Sequence, residues 1–275
     1  GIFSNFNDTD YTVTITDKER INTADESRYL VFAEITSTGE TIVFENTDNL
    51  WRFKWNSSDI QGKLKVGETY TVTKIEGYAF NDCQSLTTVN FPNTLTEIHE
   101  WAFYNCLSLS SITIPDGLTY IGEYAFHDCK ALTSATLPNS ITEMRQGIFC
   151  RTALTSITLP NNLTQLEGRM FEDCKSLTSV TLPNTITRIG YQAFYGCSAL
   201  TSIDIPNSVK EIEHNVFNNC DRLTSVTIPY GVQKMNGSIF YSCDNLTSIT
   251  IPTSVTEFGD GILGECHALR SIIIQ

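Results

Sequence analysis

Ala193-Phe194-Tyr195-Gly196-Cys197-Ser198-Ala199-Leu200-Thr201-Ser202-Ile203-Asp204-Ile205-Pro206 carries the pattern that decides the fold, because the pattern recurs along most of the chain. Phenylalanine returns at Phe80, Phe103, Phe126, Phe149, Phe171, Phe194, Phe217 and Phe240, and Leu263 closes the series. The spacing is 23 throughout, except for one step of 22 from Phe149 to Phe171. All eight prolines keep the same register, at Pro92, Pro115, Pro138, Pro160, Pro183, Pro206, Pro229 and Pro252. A fixed period of this length is the signature of stacked repeats. One such unit cannot bury its own apolar positions, whereas units piled in parallel turn each position into a rung of one continuous core. Nine rungs at about 4.8 Å predict a rod or arc on the order of 40 Å long.

Within a unit, the stretch 132–137 alternates apolar and polar residues and is rich in Thr, which predicts a short strand. Proline ends it, having no N–H to donate to a continuing ladder. Asn139-Ser140 or Asn184-Thr185 then suits a turn, and a second apolar arm, such as Ile186 and Ile189, leads back to Ala193-Phe194. The unit Phe149-Cys150-Arg151-Thr152-Ala153-Leu154 is one residue short, which predicts a tightened turn there, with the next strand recovering its register.

The recurring Ala-Phe-x-x-Cys-x-x-Leu-x-x-Ile-x-Ile/Leu-Pro resembles the BspA-like leucine-rich repeats of bacterial surface proteins, over about residues 69–275. That resemblance implies a mainly β leucine-rich-repeat solenoid in an exported or cell-surface binding protein, often one linked to adhesion. It implies no catalytic residues and no cofactor.

Residues 1–68 lack the repeat and form a separate small β-rich domain in this reading. Strand-like runs fall at 11–15, 29–35 and 41–45, and Asn56-Ser57-Ser58-Asp59 before Ile60 suits a helix cap. A barrel or sandwich of about five strands is expected. Through Asp17-Lys18-Glu19-Arg20, Phe44-Glu45-Asn46-Thr47-Asp48 and Asn56-Ser57-Ser58-Asp59-Ile60 the segment is similar to small OB-like domains. Val72, Ile75, Ala79 and Phe80 repeat the spacing of Leu95, Ile98, Ala102 and Phe103, so the last strand of this domain is expected to run straight into the solenoid at 69 and cap it.

The formal charge of −13 argues against nucleic acid, which needs a basic face. No apolar run approaches the roughly 18 residues of a membrane span. A chain opening Gly1-Ile2-Phe3-Ser4-Asn5, with methionine only at Met144, Met170 and Met235, is expected to have been processed, most simply by loss of an export signal.

All nine cysteines lie in the repeats, eight of them three residues after the repeat Phe or Leu: Cys83, Cys106, Cys129, Cys174, Cys197, Cys220, Cys243 and Cys266. Translated copies keep parallel Cβ vectors about 4.8 Å apart, too far for the roughly 3.8 Å of a disulfide, and metal sites favour tight pairs. Small buried rungs are expected, and no metal site. Cys150 falls out of register, which leaves an exposed thiol as one reading beside burial. His99, His127, His214 and His267 take different positions in different repeats, and neither a Gly-x-Ser-x-Gly nor a His-Glu-x-x-His motif is present. No enzyme active site is expected.

Alternation places Ser111 and Thr113, Ser134 and Thr136, Ser156 and Thr158, Ser179 and Thr181, Ser202 and Asp204, Ser225 and Thr227, and Ser248 and Thr250 outward, as two hydroxyl rows. They read either as a contact face or as Thr suiting a solvated strand. Better anchors for a partner flank the repeat Phe: Tyr104, His127, Tyr195 and Tyr241 one residue after it, and Trp101 and Tyr124 two before. These residues are the candidate partner-binding set, an aromatic patch on one edge or side chains tucked against neighbouring rungs. Trp51-Arg52-Phe53-Lys54-Trp55 reads as a glycan platform or as a strand with alternating core and surface residues. A protein partner is the first expectation and a glycan the second. A scaffold domain within a longer chain or larger assembly is the third: Leu269 to Ile274 leaves an apolar strand at the end, so either self-association through the last repeat or continuation into a longer protein is expected.

Overall fold

The computed structural model describes residues 73–275 and four short strands ahead of them, Thr12–Thr14, Val31–Ile35, Glu40–Phe44 and Thr69–Thr71. Thr12–Thr14 pairs antiparallel with Thr69–Thr71, and Val31–Ile35 pairs antiparallel with Glu40–Phe44. The Trp51 to Trp55 segment and the cap at Asn56 lie outside the described residues.

From Thr73 onward the chain winds into nine stacked coils, each named here after its Phe (Leu263 in the last), with no helix among the described residues. The Phe rings form one spine. Neighbouring rings from Phe80 to Phe240 lie 4.7–6.0 Å apart and within 19° of parallel. From Phe103 to Phe240 the seven rings are fully buried. Leu109, Leu132, Leu154, Leu177, Leu200, Leu223 and Leu246 run beside them, also without solvent contact. The expected common spine is therefore present.

Each full coil has three segments. The first is a two-residue strand, such as Glu97–Ile98 or Arg188–Ile189, paired in parallel with its copies in a four-stranded and a five-stranded sheet. This is the second apolar arm, expected only as a return path. It became a sheet because its inward residue (Ile98, Ile121, Met144, Leu166, Ile189, Ile212, Met235) is buried in coil after coil, which brings the backbones into register. The second segment is the turn around Phe. The third is the expected Ser-x-Thr strand, such as Ser111–Thr113 or Ser225–Thr227, with its central residue inward and both hydroxyl residues exposed.

The turn holds its own ladder. In every coil the residues two before and two after the Phe adopt φ of 54–70°. That alternation swings successive peptides so that every second N–H points along the stack. Trp101, Phe103 and Asn105 thus donate to the carbonyls of Glu123, Ala125 and His127 of the next coil at 2.8, 2.8 and 2.9 Å. Asp, Asn and Gly dominate the position two after Phe (Asp82, Asn105, Asp128, Asp173, Gly196, Asn219), as expected for residues that enter the left-handed region cheaply.

The cysteines explain themselves through the same accounting of backbone groups. Seven thiols each donate to the carbonyl of the Phe one coil back, as Cys106 does to Phe80 at 3.2 Å and Cys197 to Phe171 at 3.1 Å. Only a small side chain with a donor fits this fully buried place. In the short coil Thr152 stands there instead, donating to Phe149 at 2.9 Å and lying 3.4 Å from the Cys174 sulfur.

The missing residue falls between Thr152 and Leu154, and its effect reaches further than a tightened turn. The Phe149 ring has the widest gaps in the spine, 5.9 Å to Phe126 and 6.0 Å to Phe171. On the Ser-x-Thr face pairing stops between Ser134–Thr136 and Ser156–Thr158, although the latter pairs in full with Ser179–Thr181, so register does recover. On the other face it stops one junction later, between Glu143–Met144 and Gln165–Leu166. There Asn139 bridges the coils, accepting from the Asn161 N–H at 3.0 Å and from the Asn162 amide at 2.6 Å. The turn ladder alone runs unbroken through both junctions, with Phe126 donating to Ile148 at 3.0 Å and Phe149 to Met170 at 3.1 Å.

The Phe80 coil has no strand in its third segment, and among the outward pairs read from the sequence one further strand is missing. Residues 201–206 have no strand, although Ser202 and Asp204 are exposed as anticipated. Asp is a poor strand former, and its carboxylate takes the place of the β-branched Thr that packs the other copies of this row. Ile203 is only partly buried.

Candidate binding surface on the turn edge

The turn edge of the Phe80, Phe103 and Phe126 coils gathers the aromatic residues. Tyr78, Trp101 and Tyr124 occupy the position two before Phe in consecutive coils and stack. Tyr78 and Trp101 lie 6.3 Å apart at 7°, and Trp101 and Tyr124 lie 4.5 Å apart at 22°. A second file stands beside it, one residue after Phe: Tyr104 and His127 stack at 5.4 Å and 13°. The two files interlock edge to face through Trp101 and Tyr104 at 5.2 Å and through Tyr124 and His127 at 5.4 Å.

Four of the six candidates, Trp101, Tyr104, Tyr124 and His127, are thus brought together, half-buried against each other. Both readings of the sequence hold at once: the residues form a patch, and the patch is tucked into neighbouring rungs. Tyr195 and Tyr241 lie in the Phe194 and Phe240 coils and do not join it. The Tyr195 hydroxyl accepts from the Asn219 amide at 3.2 Å, and Tyr241 is exposed. Tyr78 was missed by sequence reading, although it shares the position of Trp101 and Tyr124. Also missed was the continuation through Arg169 and Tyr191. Arg169 lies 5.5 Å from the Tyr191 ring centre and is held by Gln192 at 3.0 Å and Glu172 at 3.6 Å. The Tyr191 hydroxyl donates to Gln146 at 2.9 Å.

The sequence makes room for these rings. Gly147 takes the place of a fourth stacked residue, and a Cβ there would collide with the Tyr124 ring; its φ of 65° also favours glycine. Tyr78, Trp101 and Tyr124 have φ of 61°, 57° and 54°, a conformation bulky side chains rarely enter. Such backbone costs about 1–2 kcal/mol per residue, and stacked aromatic pairs return about 0.5–1.5 kcal/mol each. Stacking therefore offsets the strain only in part.

Electrostatics sharpen the picture. The His127 side chain is shielded by this cage, and burial pushes its pKa below the ordinary imidazole value against the pull of Asp128, whose Oδ2 lies 3.1 Å from Nε2. Its Nδ1 is buried without a partner. Burial likewise raises the Tyr124 hydroxyl, with Arg169 opposing. Outside the cage, Glu100 and Glu123 stand exposed in equivalent positions of adjacent coils.

The other sequence candidates do not assemble. His99 pairs with Glu97 at 2.9 Å, His214 accepts from the Gly237 N–H at 3.2 Å, and His267 lies beside Glu265 at 3.3 Å in the last coil. Among the described residues no group of three or more His, Cys, Asp or Glu is placed to hold a metal ion. No helix long and apolar enough to cross a membrane occurs among the described residues. All nine cysteines are free, and Cys150 is buried, which overturns the exposed-thiol reading. The short turn tucks Cys150 inward, 3.8 Å from a Glu172 carboxylate, and burial pushes its pKa up.

Cys266 alone is partly exposed, its thiol donating to the Phe240 carbonyl at 2.9 Å. Native labelling with a maleimide should modify this one accessible thiol fastest, a reaction that disappears in Cys266→Ser. Rapid reaction at two further cysteines would mean that the coils are not stacked as described.

With this geometry in place, comparison with known proteins is specific. The family model for the BspA type leucine rich repeat region matches residues 60–178 and 168–275. The chain belongs to the BspA-type leucine-rich-repeat family. A leucine rich cell surface protein from Faecalibacterium prausnitzii A2-165 is 30% identical, with a TM-score of 0.53, over 74% of this chain. The matched part is 57% of that protein's length. A leucine-rich-repeat protein from T. pallidum is 28% identical over 66% of this chain and 74% of its own, at a TM-score of 0.46. No curated protein matches the chain. In this BspA-type chain the repeat Phe, Cys and Leu are thus the structural rungs, while the edge residues beside them vary from coil to coil.

Proposed function

We propose that this chain is a non-enzymatic binding module, displayed outside the cell, that presents one repeat surface to a protein partner. The observation that carries the reading is the aromatic edge. Interface energy concentrates in Trp, Tyr and Arg, and the edge collects Trp101, Tyr78, Tyr104, Tyr124, Tyr191 and Arg169, whereas the Ser-x-Thr face offers short hydroxyls. Membership of the BspA-type family supports a binding role, and the F. prausnitzii relative is described as a cell surface protein. The dispersal of the four histidines supports the absence of catalysis.

The test is biolayer interferometry of the purified 275-residue chain against immobilised extracellular-matrix and cell-surface proteins, with a glycan array beside it. Saturable binding to a protein, weakened by Trp101→Ala, is the expected result. Binding only to glycans, lost on Trp51→Ala or Trp55→Ala, would overturn it. The last coil supports a separate proposal, a contact between two copies, since Phe258, Ile272, Ile273 and Ile274 are exposed. A single monomeric species in light scattering at every concentration would remove it.

A further inference from the structure

We propose that the partner docks on the aromatic edge of the Phe80, Phe103 and Phe126 coils by presenting lysine or arginine side chains. The proposal rests on the protein-binding reading above and adds where contact is made and with what chemistry. Three observations converge on it.

First, the aromatic residues sit where the fold does not want them. At the position two before Phe, the later coils use Gly147, Arg169, Gln192, Asn215, Ser238 and Gly261, none of them aromatic and four of them easy in the left-handed region or small. Tyr78, Trp101 and Tyr124 fill it in three consecutive coils, against backbone preference and without being needed for the core, which the Phe spine already fills. Residues held in costly backbone conformations concentrate where a surface is used. The rings are already locked by one another, so little freedom is lost when a partner settles on them.

Second, the ring faces are spent. Trp101 is covered on both sides by Tyr78 and Tyr124, and the far face of Tyr124 lies over Gly147. What this stack offers solvent is ring edges and hydroxyls. A sugar or a nucleobase binds an aromatic residue through an open face, and here the stack leaves one only at Tyr78, which is 48% exposed. Hydrogen-bonding side chains of a protein suit such an edge better.

Third, the charge around the edge is unbalanced in one direction. Lys130, Arg145, Arg151 and Arg169 are already engaged by Asp128, Glu143, Asp128 with Asp173, and Glu172. Glu123 is met by the Gln146 amide at 3.5 Å, Glu100 by His99 at 3.9 Å, and Glu76 has no ion pair among the described residues. Glu100 and Glu123 are exposed in equivalent positions of adjacent coils, the Glu100 carboxylate leaning back over Gly77 and that of Glu123 forward to Gln146. Neither is met by a Lys or Arg among the described residues, so each can take a basic side chain of a partner, and the chain's charge of −13 draws basic partners in at longer range.

The experiment is an NMR titration of the intact chain with an arginine-rich dodecapeptide, its glutamate-rich counterpart and chitohexaose, read at the Trp101 indole N–H. The arginine-rich peptide is expected to shift that resonance saturably, and the other two to leave it in place. Glu100→Gln with Glu123→Gln, which preserves shape, should weaken binding about tenfold, while Asp221→Asn with Asp244→Asn, exposed acids in the Phe217 and Phe240 coils, should change it less than about twofold. Equal losses in the two double variants would reduce the effect to general charge attraction and overturn the proposal. So would an unmoved Trp101 resonance, or one moved by chitohexaose. If a protein partner found by interferometry loses affinity on Tyr241→Ala but not on Trp101→Ala, this placement fails while the protein-binding reading stands. The absence of any protein binding ends both.

Discussion

Phe194→Ala is expected to destabilise the chain by about 3–5 kcal/mol, the usual cost of emptying a buried aromatic site. Phe194 is fully buried, with Phe171 at 5.5 Å on one side and Phe217 at 5.3 Å on the other, so truncation opens both stacks at once. Backbone ladders fix the coils on either side, which limits collapse into the space. Because each coil touches only its neighbours, the loss is felt as weakened coupling between the two ends of the stack as well as lower stability. Urea unfolding followed by circular dichroism should show an earlier midpoint and a broader transition. A loss below about 1.5 kcal/mol would place Phe194 outside a continuous spine.

Gly190→Ala should cost about 2–3 kcal/mol through the opposite fault, too much matter rather than too little. A Cβ at Gly190 would sit 2.6 Å from the Gly168 nitrogen and 2.8 Å from the Leu166 carbonyl oxygen, all backbone of the preceding coil. No rotamer change relieves a clash with backbone. The Gly190 N–H also donates to Leu166 at 2.7 Å, so the methyl group pries apart the bond that joins the two coils at that point. Thermal denaturation gives the check, and an unchanged melting temperature would mean that the coils are spaced more widely than described.

How much of this was readable in advance depends on what each residue's period encodes. The Phe spine, the Leu row and the Ser-x-Thr strands were legible because one residue type returns every 22 or 23 positions and burial demands it. The two-residue strands were not, since a strand of two residues shows no alternation to detect. The turn ladder was hidden for a different reason: Trp101 and Tyr124 argue locally against the left-handed conformation they adopt. Asp204 cost a strand that the register alone promised.

The edge shows the same division. Sequence reading chose residues by their distance from Phe, which is correct within a coil but says nothing about which coils are neighbours in composition. Trp101, Tyr104, Tyr124 and His127 meet because they fall in adjacent coils, whereas Tyr195 and Tyr241 are separated by the Phe217 coil, whose corresponding residue is Asn218. Tyr78 was overlooked because it lies in the first unit, where the repeat is just beginning. Cys150 was ambiguous because a deletion of one residue, read linearly, does not reveal which side chain turns inward. Thr152 inherited the thiol's place.

The interrupted pairing beside the Phe149 coil divides one wall of the molecule into two plates, of four and five strands. Parting those plates at their seam ruptures no strand-to-strand bond on that wall, only the side-chain ties from Asn139. Parting the same wall anywhere else from the Phe80 coil to the last tears a strand pair. At that junction the two lengths are joined instead by the turn ladder and by the pairing of Ser156–Thr158 with Ser179–Thr181 on the Ser-x-Thr face.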